Sequence, residues 1–259
     1  MTGPHDADGR IGILGVGHLA EALVRGFLRG GIAADRLVLA PRGHGPALSR
    51  TLGLPLAADN AALVEECGTI ILAVRPKDAV AAVSGLPWGE GQLLISTCAG
   101  VAIDALAEAA APAGICRVMP LTAAAFGASP TVLYPDHPDA HALLAHVGPV
   151  IPLAAEAEFE VATVSAAAYG WLQAIAAGWI DWQAAAGLDP ATARRLAAAT
   201  LVAAGRNIEG ETAPVDALLA ALTTPGGITE AGLQRLQAHE IDAAWVEACE
   251  AVRAKLKGA

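Results

Sequence analysis

An α/β domain over residues 1–154, followed by an all-helical domain over residues 155–259, is the fold class this sequence predicts. Three observations carry it. Seven short apolar runs alternate with helical patterns through the first part of the chain. A Gly-x-Gly-x-x-Ala turn follows the first of these runs directly. Beyond Leu153 the strand-like runs stop. Alternation of strand and helix argues for a twisted, mostly parallel sheet.

The runs are Ile11–Leu14, Leu37–Ala40, Thr69–Val74, Leu93–Thr97, Cys116–Met119, Val132–Tyr134 and Val150–Leu153. Several are apolar without interruption, as expected of strands covered by helices on both faces. Helical stretches lie between them at Leu19–Arg29, Ala61–Cys67 and Ile103–Ala110. In the second part, helices are expected over Glu156–Ala186, Pro190–Gly210 and Val215–Leu222, with one or two more over Ile228–Lys257. Gly187-Leu188-Asp189-Pro190 reads as a stop and a new start: Gly187 ends one helix, Asp189 caps the next, and Pro190 suits its first position.

Composition narrows the function classes. A formal charge of -10 disfavours a nucleic-acid partner, and no basic stripe offsets it. Cys67, Cys98, Cys116 and Cys249 are far apart and form no CxxC pair, so neither a disulfide framework nor a metal site is expected. Cys98 and Cys116 fall in apolar runs and read as buried. His137 and His141 are separated by Pro138, which argues against a metal pair. Residues 1–10 carry no apolar signal core. The apolar stretch Ala166–Ile180 is short for a membrane span and is followed at once by Asp181 and Gln183, so a core or interface helix is expected. The expected setting is cytoplasmic, without a membrane partner.

The glycine turn carries the first chemistry. In Gly12-Ile13-Leu14-Gly15-Val16-Gly17-His18-Leu19-Ala20, Gly15 permits a tight turn and Gly17 removes a Cβ that would block a pyrophosphate. Ala20 lets the helix pack closely on the strand. The helix N-terminus then offers backbone N–H groups to phosphates. Residues Gly12, Gly15, Gly17, His18 and Leu19 are therefore candidate cofactor contacts, with His18 a turn residue beside the phosphates. The pattern marks the first domain as a Rossmann-type dinucleotide-binding domain. An NAD site commonly places an acid at the end of the second strand. Here that strand runs Leu37-Val38-Leu39-Ala40-Pro41-Arg42, and Arg42 stands where a guanidinium meets a 2′-phosphate. NADPH is the expected cofactor, with NADH the alternative; Ser49 and Arg50 are further candidates.

The chain resembles the pyrroline-5-carboxylate reductases from Ile11 to about Val252. The likeness rests on the glycine turn followed by Glu21, on Ile71-Leu72-Ala73-Val74-Arg75-Pro76-Lys77, and on Ile95-Ser96 leading to Ala99-Gly100-Val101. Its more specific pieces are Arg117-Val118-Met119-Pro120 with Thr122, and Thr224-Pro225-Gly226-Gly227-Ile228-Thr229. The resemblance implies reduction of a small cyclic imine acid, 1-pyrroline-5-carboxylate, to proline. It also implies a homodimer or higher homo-oligomer through the C-terminal helices, with substrate between the domains. Val74, Arg75 and Pro76 would hold the cofactor at a strand end, and small Ala99 and Gly100 would admit the nicotinamide. Gly226 and Gly227 bare backbone N–H groups ahead of a helix, suited to a small carboxylate. Thr229 would orient or protonate the imine nitrogen.

Two segments depart from the family: Pro120-Leu121-Thr122-Ala123 stands where the family has Asn and Pro around the threonine, and the second lies at the start of the long helix. Where the family has a Ser-Gly-Ser-Gly-Pro run, this chain has Ser165-Ala166-Ala167-Ala168-Tyr169-Gly170. Added Cβ atoms narrow the backbone choices, and a lost Ser removes a donor. Ser165 and Tyr169 are the substrate-binding candidates of this reshaped region, and Trp171 and Trp182 are expected to share one helix face. Two alternatives stay open: a reductase of another imine or keto acid, and a non-catalytic NADPH-binding regulatory protein. A β-hydroxyacid-type dehydrogenase would need a Lys in the long helix, and Glu156–Gly187 has none.

Overall fold

The computed structural model describes residues 9–257; most of the polar segment read as lacking a signal core lies outside that range. Seven strands form one sheet: β1 (Ile11–Leu14), β2 (Leu37–Leu39), β3 (Thr69–Leu72), β4 (Leu93–Ser96), β5 (Gly114–Met119), β6 (Thr131–Tyr134) and β7 (Val150–Pro152). Their order is β2-β1-β3-β4-β5-β6-β7. The first five are parallel; β6 runs antiparallel to β5 and parallel to β7. Because β2 and β3 lie on opposite sides of β1, the winding reverses there, and the crevice at the carboxyl ends of β1 and β3 is the switch point where dinucleotides bind in such sheets.

Both sheet faces are covered. On one face α1 (His18–Arg29) packs Ala20, Leu23, Val24 and Phe27 against Ile11, Ile13, Leu37, Leu39, Ile71, Leu93 and Ile95. These helix positions recur every three or four residues, the spacing of a single buried face. Alternate strand residues, Leu14, Val38, Ile70, Leu72 and Leu94, point the other way onto α3 (Asn60–Glu66), α4 (Ala79–Val83) and α5 (Ile103–Ala107). Successive apolar residues of the central strands thus serve opposite layers. Each large side chain buried this way contributes roughly 1.5–3 kcal/mol. Two short helices, α2 (Gly45–Leu52) and α6 (Pro138–Ala145), complete this part; Pro138 opens α6 at its first position, with His137 as the N-cap.

Buried Gln92 is fully satisfied. Gln92 Nε2 donates to the carbonyls of Val64 (2.6 Å) and Cys67 (2.8 Å) at the end of α3, and its Oε1 accepts from Gly89 N–H (2.7 Å). Burial pushes the Cys67 thiol up to about 12 and the Cys116 thiol up to about 11, so both stay protonated and serve as packing groups. Cys98 is buried as well.

The helical part comprises α7 (Phe159–Ala185), α8 (Pro190–Gly210), α9 (Val215–Leu222), α10 (Ile228–Ala238) and α11 (Ile241–Lys257). A short 3-10 turn over Glu156–Glu158 leads into α7. Asp189 caps α8 by accepting from Thr192 N–H at 2.9 Å, with Pro190 in the first turn, as the stop-and-start tetrapeptide predicts. Compact units divide later than the sequence boundary near residue 154. The first runs to Ala166 and takes in residues from Arg253 onward; the second is Ala167–Val252. The reason is local: the first turns of α7 are held to the sheet by buried Phe159 and by Glu156 and Glu160, which pair with Arg117 of β5. Among the described residues, no helix is long and apolar enough to cross a membrane.

Candidate functional site

A cavity of about 590 Å³ opens at the carboxyl ends of β1, β2 and β3. Gly15, Gly17, Arg42, Val74 and Arg75 line it together. Gly15 has φ +92, and a Cβ there would stand 2.5 Å from Val74 Cγ1 and 2.9 Å from the Ala73 backbone, so only glycine lets the turn pass beneath the β3 edge. Gly17 is the N-cap of α1, makes no side-chain cap, and has nothing within 4 Å of where a Cβ would stand. The first amides of α1 therefore face open space, the arrangement that receives phosphate oxygens.

Arg42 follows β2 on the rim. It is exposed and makes no side-chain hydrogen bond or ion pair among the described residues. Arg75, by contrast, is held by Asp78 at 2.8 Å. Glu21, in the first turn of α1, puts a negative charge near a phosphate site, but Arg25 binds it through Nε (3.1 Å) and Nη2 (2.8 Å). The Arg25 hydrogen bond is the main cause of its lowered pKa; slight burial opposes this and His44, at 3.5 Å, adds to it. His18 and His44 meet edge to face at 5.0 Å.

Other cofactor candidates sit elsewhere. Gly12 lies in the middle of β1, where a Cβ would press on Leu63 (3.0 Å) and Cys67 (3.2 Å); it serves packing and does not line the cavity. His18 is exposed and Leu19 half-buried on α1, and Pro76 opens the 3-10 turn before α4. Ala99 and Gly100 form the turn after β4, outside this lining. Ser49 Oγ is taken by Leu54 O at 2.7 Å, so it is not a free cofactor donor. Several lining residues have no counterpart in the sequence analysis, Gly43 and Asn60 among them. Gly43 pairs with Val16 across the glycine turn, and Asn60 opens α3. Gly43-x-Gly45 beside Arg42 was the available signal.

Arg117 also gains a role that its motif did not reveal. It is 3% exposed, lies 4.1 Å over the Phe159 ring, and bonds Glu156 (3.0 Å) and Glu160. Glu156 accepts as well from Ile103 N–H at 2.9 Å, at the start of α5 just past the Ala99-Gly100 turn. One buried cation thereby ties β5, that turn and the root of α7 together.

In the second unit, Thr224–Thr229 forms the turn between α9 and α10. Gly226 has φ +73 and Thr229 is half-buried on the first turn of α10, its hydroxyl in no hydrogen bond among the described residues. The bare N–H groups expected here are already used. Gly226 N–H donates to Glu230 Oε2 at 2.6 Å, and Gly227 N–H to Thr224 O at 2.9 Å. The third residue of the helix reaches back to its own entry turn, a variant of the capping box. Ser165 (exposed) and Tyr169 (half-buried) both lie within unbroken α7. Trp171 packs edge-on against Trp245 of α11 at 5.3 Å, whereas Trp182 is 67% exposed.

Comparison with known proteins agrees with this geometry. Residues 156–258 match the family model for pyrroline-5-carboxylate reductase dimerisation, and residues 10–100 match that for NADP oxidoreductase, coenzyme F420-dependent. A pyrroline-5-carboxylate reductase of Thermus thermophilus is 30% identical, covering 93% of this chain and 95% of that one. One from Mycobacterium leprae is 30% identical over 88% of this chain and 89% of its own. In fold, the chain is similar to a Plasmodium falciparum pyrroline carboxylate reductase solved with NADP bound: TM-score 0.86, 22% identity, covering 97% of this chain and 98% of that one. A full-length match at this identity, with both halves of the fold in order, places the chain in the pyrroline-5-carboxylate reductase family.

Proposed function

We propose that this chain is an NADPH-dependent reductase of a small cyclic imine acid, turning 1-pyrroline-5-carboxylate into proline. One observation carries the cofactor half: open space above Gly17 at the N-terminus of α1, with an unpartnered Arg42 on the same cavity. The cradle fits a pyrophosphate, and the guanidinium fits a 2′-phosphate. NADH would lack the second contact. NADPH, when bound, supplies a hydride for the C=N carbon. The chain's own residues bind and orient. Gly15 and Gly17 give the phosphates backbone amides, with His18 and Leu19 opening the helix behind the turn; Gly12 acts at a distance, by letting β1 pack closely on Leu63 and Cys67. Val74, Arg75 and Pro76 form the rim, and Ala99 and Gly100 leave room for the nicotinamide.

On the substrate side, the Gly226–Gly227 turn receives the carboxylate and the Thr229 hydroxyl orients the nitrogen. Ser165 and Tyr169 shape the rest. An iminium accepts hydride readily, so positioning does most of the catalytic task and no strong acid is needed. Membership of the family supports this reading, as do the names of the relatives. Residues 1–154 then serve the cofactor and 155–259 the substrate and self-association. A homodimer or larger homo-oligomer, in the cytoplasm, belongs to the same proposal; exposed Ile175, Trp182, Val202 and Leu222 support the association.

A second reading, reduction of a different imine or keto acid, is favoured by Ser165–Gly170. These residues form continuous helix with Ala in place of the family's glycines. Purified protein assayed for NADPH consumption against a panel of cyclic imines decides between them. The proposal expects turnover with 1-pyrroline-5-carboxylate and proline as product. NADPH binding without consumption of this imine would remove the substrate and leave the cofactor assignment standing.

A further inference from the structure

The amide that the proposed function gives to the substrate carboxylate already carries an anion of the chain itself. Glu230 Oε2 accepts from Gly226 N–H at 2.6 Å, and Gly227 N–H is closed onto Thr224 O at 2.9 Å. Glu230 is the third residue of α10, so its carboxylate sits at the positive end of that helix. It makes no other hydrogen bond or ion pair among the described residues. No basic side chain of the turn Thr224–Thr229 neutralises it.

One N–H cannot serve two carboxylates at full strength, and two like charges at one turn repel. We infer that Glu230 is a built-in competitor for the substrate carboxylate. It holds the Gly226 amide in the substrate-free chain, yields it when the acid binds, and so sets how strongly the site prefers an anionic imine over one without a carboxylate. The inference rests on the reading that this turn receives the substrate acid. Once displaced, Glu230 stays tethered within one helical turn, and its charge still faces the incoming anion. Water screens that charge at an exposed turn, so the effect is modest. A cyclic imine lacking the carboxylate, such as 1-pyrroline, has no need of the amide, and its protonated form is attracted by Glu230.

The test compares the full-length protein with E230Q and E230A. Each is assayed with NADPH against 1-pyrroline-5-carboxylate and 1-pyrroline, and each is melted thermally. Removing the charge should lower KM for the acid about two- to fivefold, as expected for an exposed charge pair, with kcat little changed. KM for 1-pyrroline should stay the same or rise. A residue that only caps α10 would lower the melting temperature and shift both substrates alike. That result, or a KM for the acid that is unchanged or higher, overturns the inference. Should the unsubstituted protein reduce neither imine, the proposed reaction fails on its own. The competition is then read by calorimetry with proline in the presence of NADP+. Tighter proline binding by E230A supports it; equal, weaker or absent binding in the variant overturns it.

Discussion

The two compact units handle their apolar residues in opposite ways. In the first, strand side chains are buried on both faces of the sheet, and Ile13, Leu23, Phe27 and Ile95 are fully enclosed. In the second, Ala193 and Ala197 are the buried residues among those described, while Ile228 is 94% exposed, Trp182 67%, and Val202 and Leu222 64% each. A sheet clad by helices completes its own core. A set of helices with this much bare apolar surface does not, and such surface marks an interface. The first unit therefore closes its own core, and the second exposes the apolar surface that the proposed homo-oligomer would cover.

Substitutions sharpen the contrast, from the largest effect down. Ile95→Ala in β4 should cost about 3 kcal/mol through the cavity it leaves, read as a melting shift that does not depend on protein concentration. Trp182→Ala should leave the sheet unit folded and weaken self-association about tenfold or more, read by sedimentation across a dilution series. Equal concentration dependence in both variants would erase the distinction. Arg42→Ala should lose about tenfold in NADPH affinity while NADH binding is unchanged, because a 2′-phosphate contact is the only one removed. A parallel loss for both nucleotides would move Arg42 out of that role.

The smallest effect tests a helix start. Hydrogen bonds from the Thr192 backbone N–H and hydroxyl hold the Asp189 carboxyl below its ordinary pKa. A carboxyl lowered in the folded state contributes stability above its unfolded pKa and loses it as pH falls through the folded value. Asp189→Ala should thus melt slightly earlier at neutral pH, and the difference should close on acidification below the carboxylate range. A difference that persists there would assign the loss to something other than the charge.

The same contrast explains what the sequence made legible. β1 to β4, buried on both faces, leave nearly uninterrupted apolar runs, while half-buried β6 and largely exposed β7 leave short ones; all seven fall within a residue or two of their expected ends. Helices α8 and α9 were readable because Asp189, Pro190 and their apolar spacing mark them. Helices α2 and α6 were not: Gly45-Pro46 and Pro138 look like breakers until Pro is recognised in a first helical turn. In the site, Gly15, Gly17 and Arg42 announce themselves by local pattern. Asn60 and the partners of Arg117 do not, because their roles depend on segments brought together by folding. The Gly226–Glu230 bond has a local signal, a Glu three residues after a glycine N-cap, which closes a turn whose glycines alone suggest a free anion site.

In the proposed function the N-terminus of α1 grips a dinucleotide through the space above Gly17. Titration of NADPH into the intact protein and into Gly17→Asp tests this grip. A carboxylate placed there meets the phosphates, so the first should bind saturably and the second should lose about 100-fold or more, with the melting temperature of the free protein little changed. Equal NADPH affinity in the two, or none in either, would contradict it.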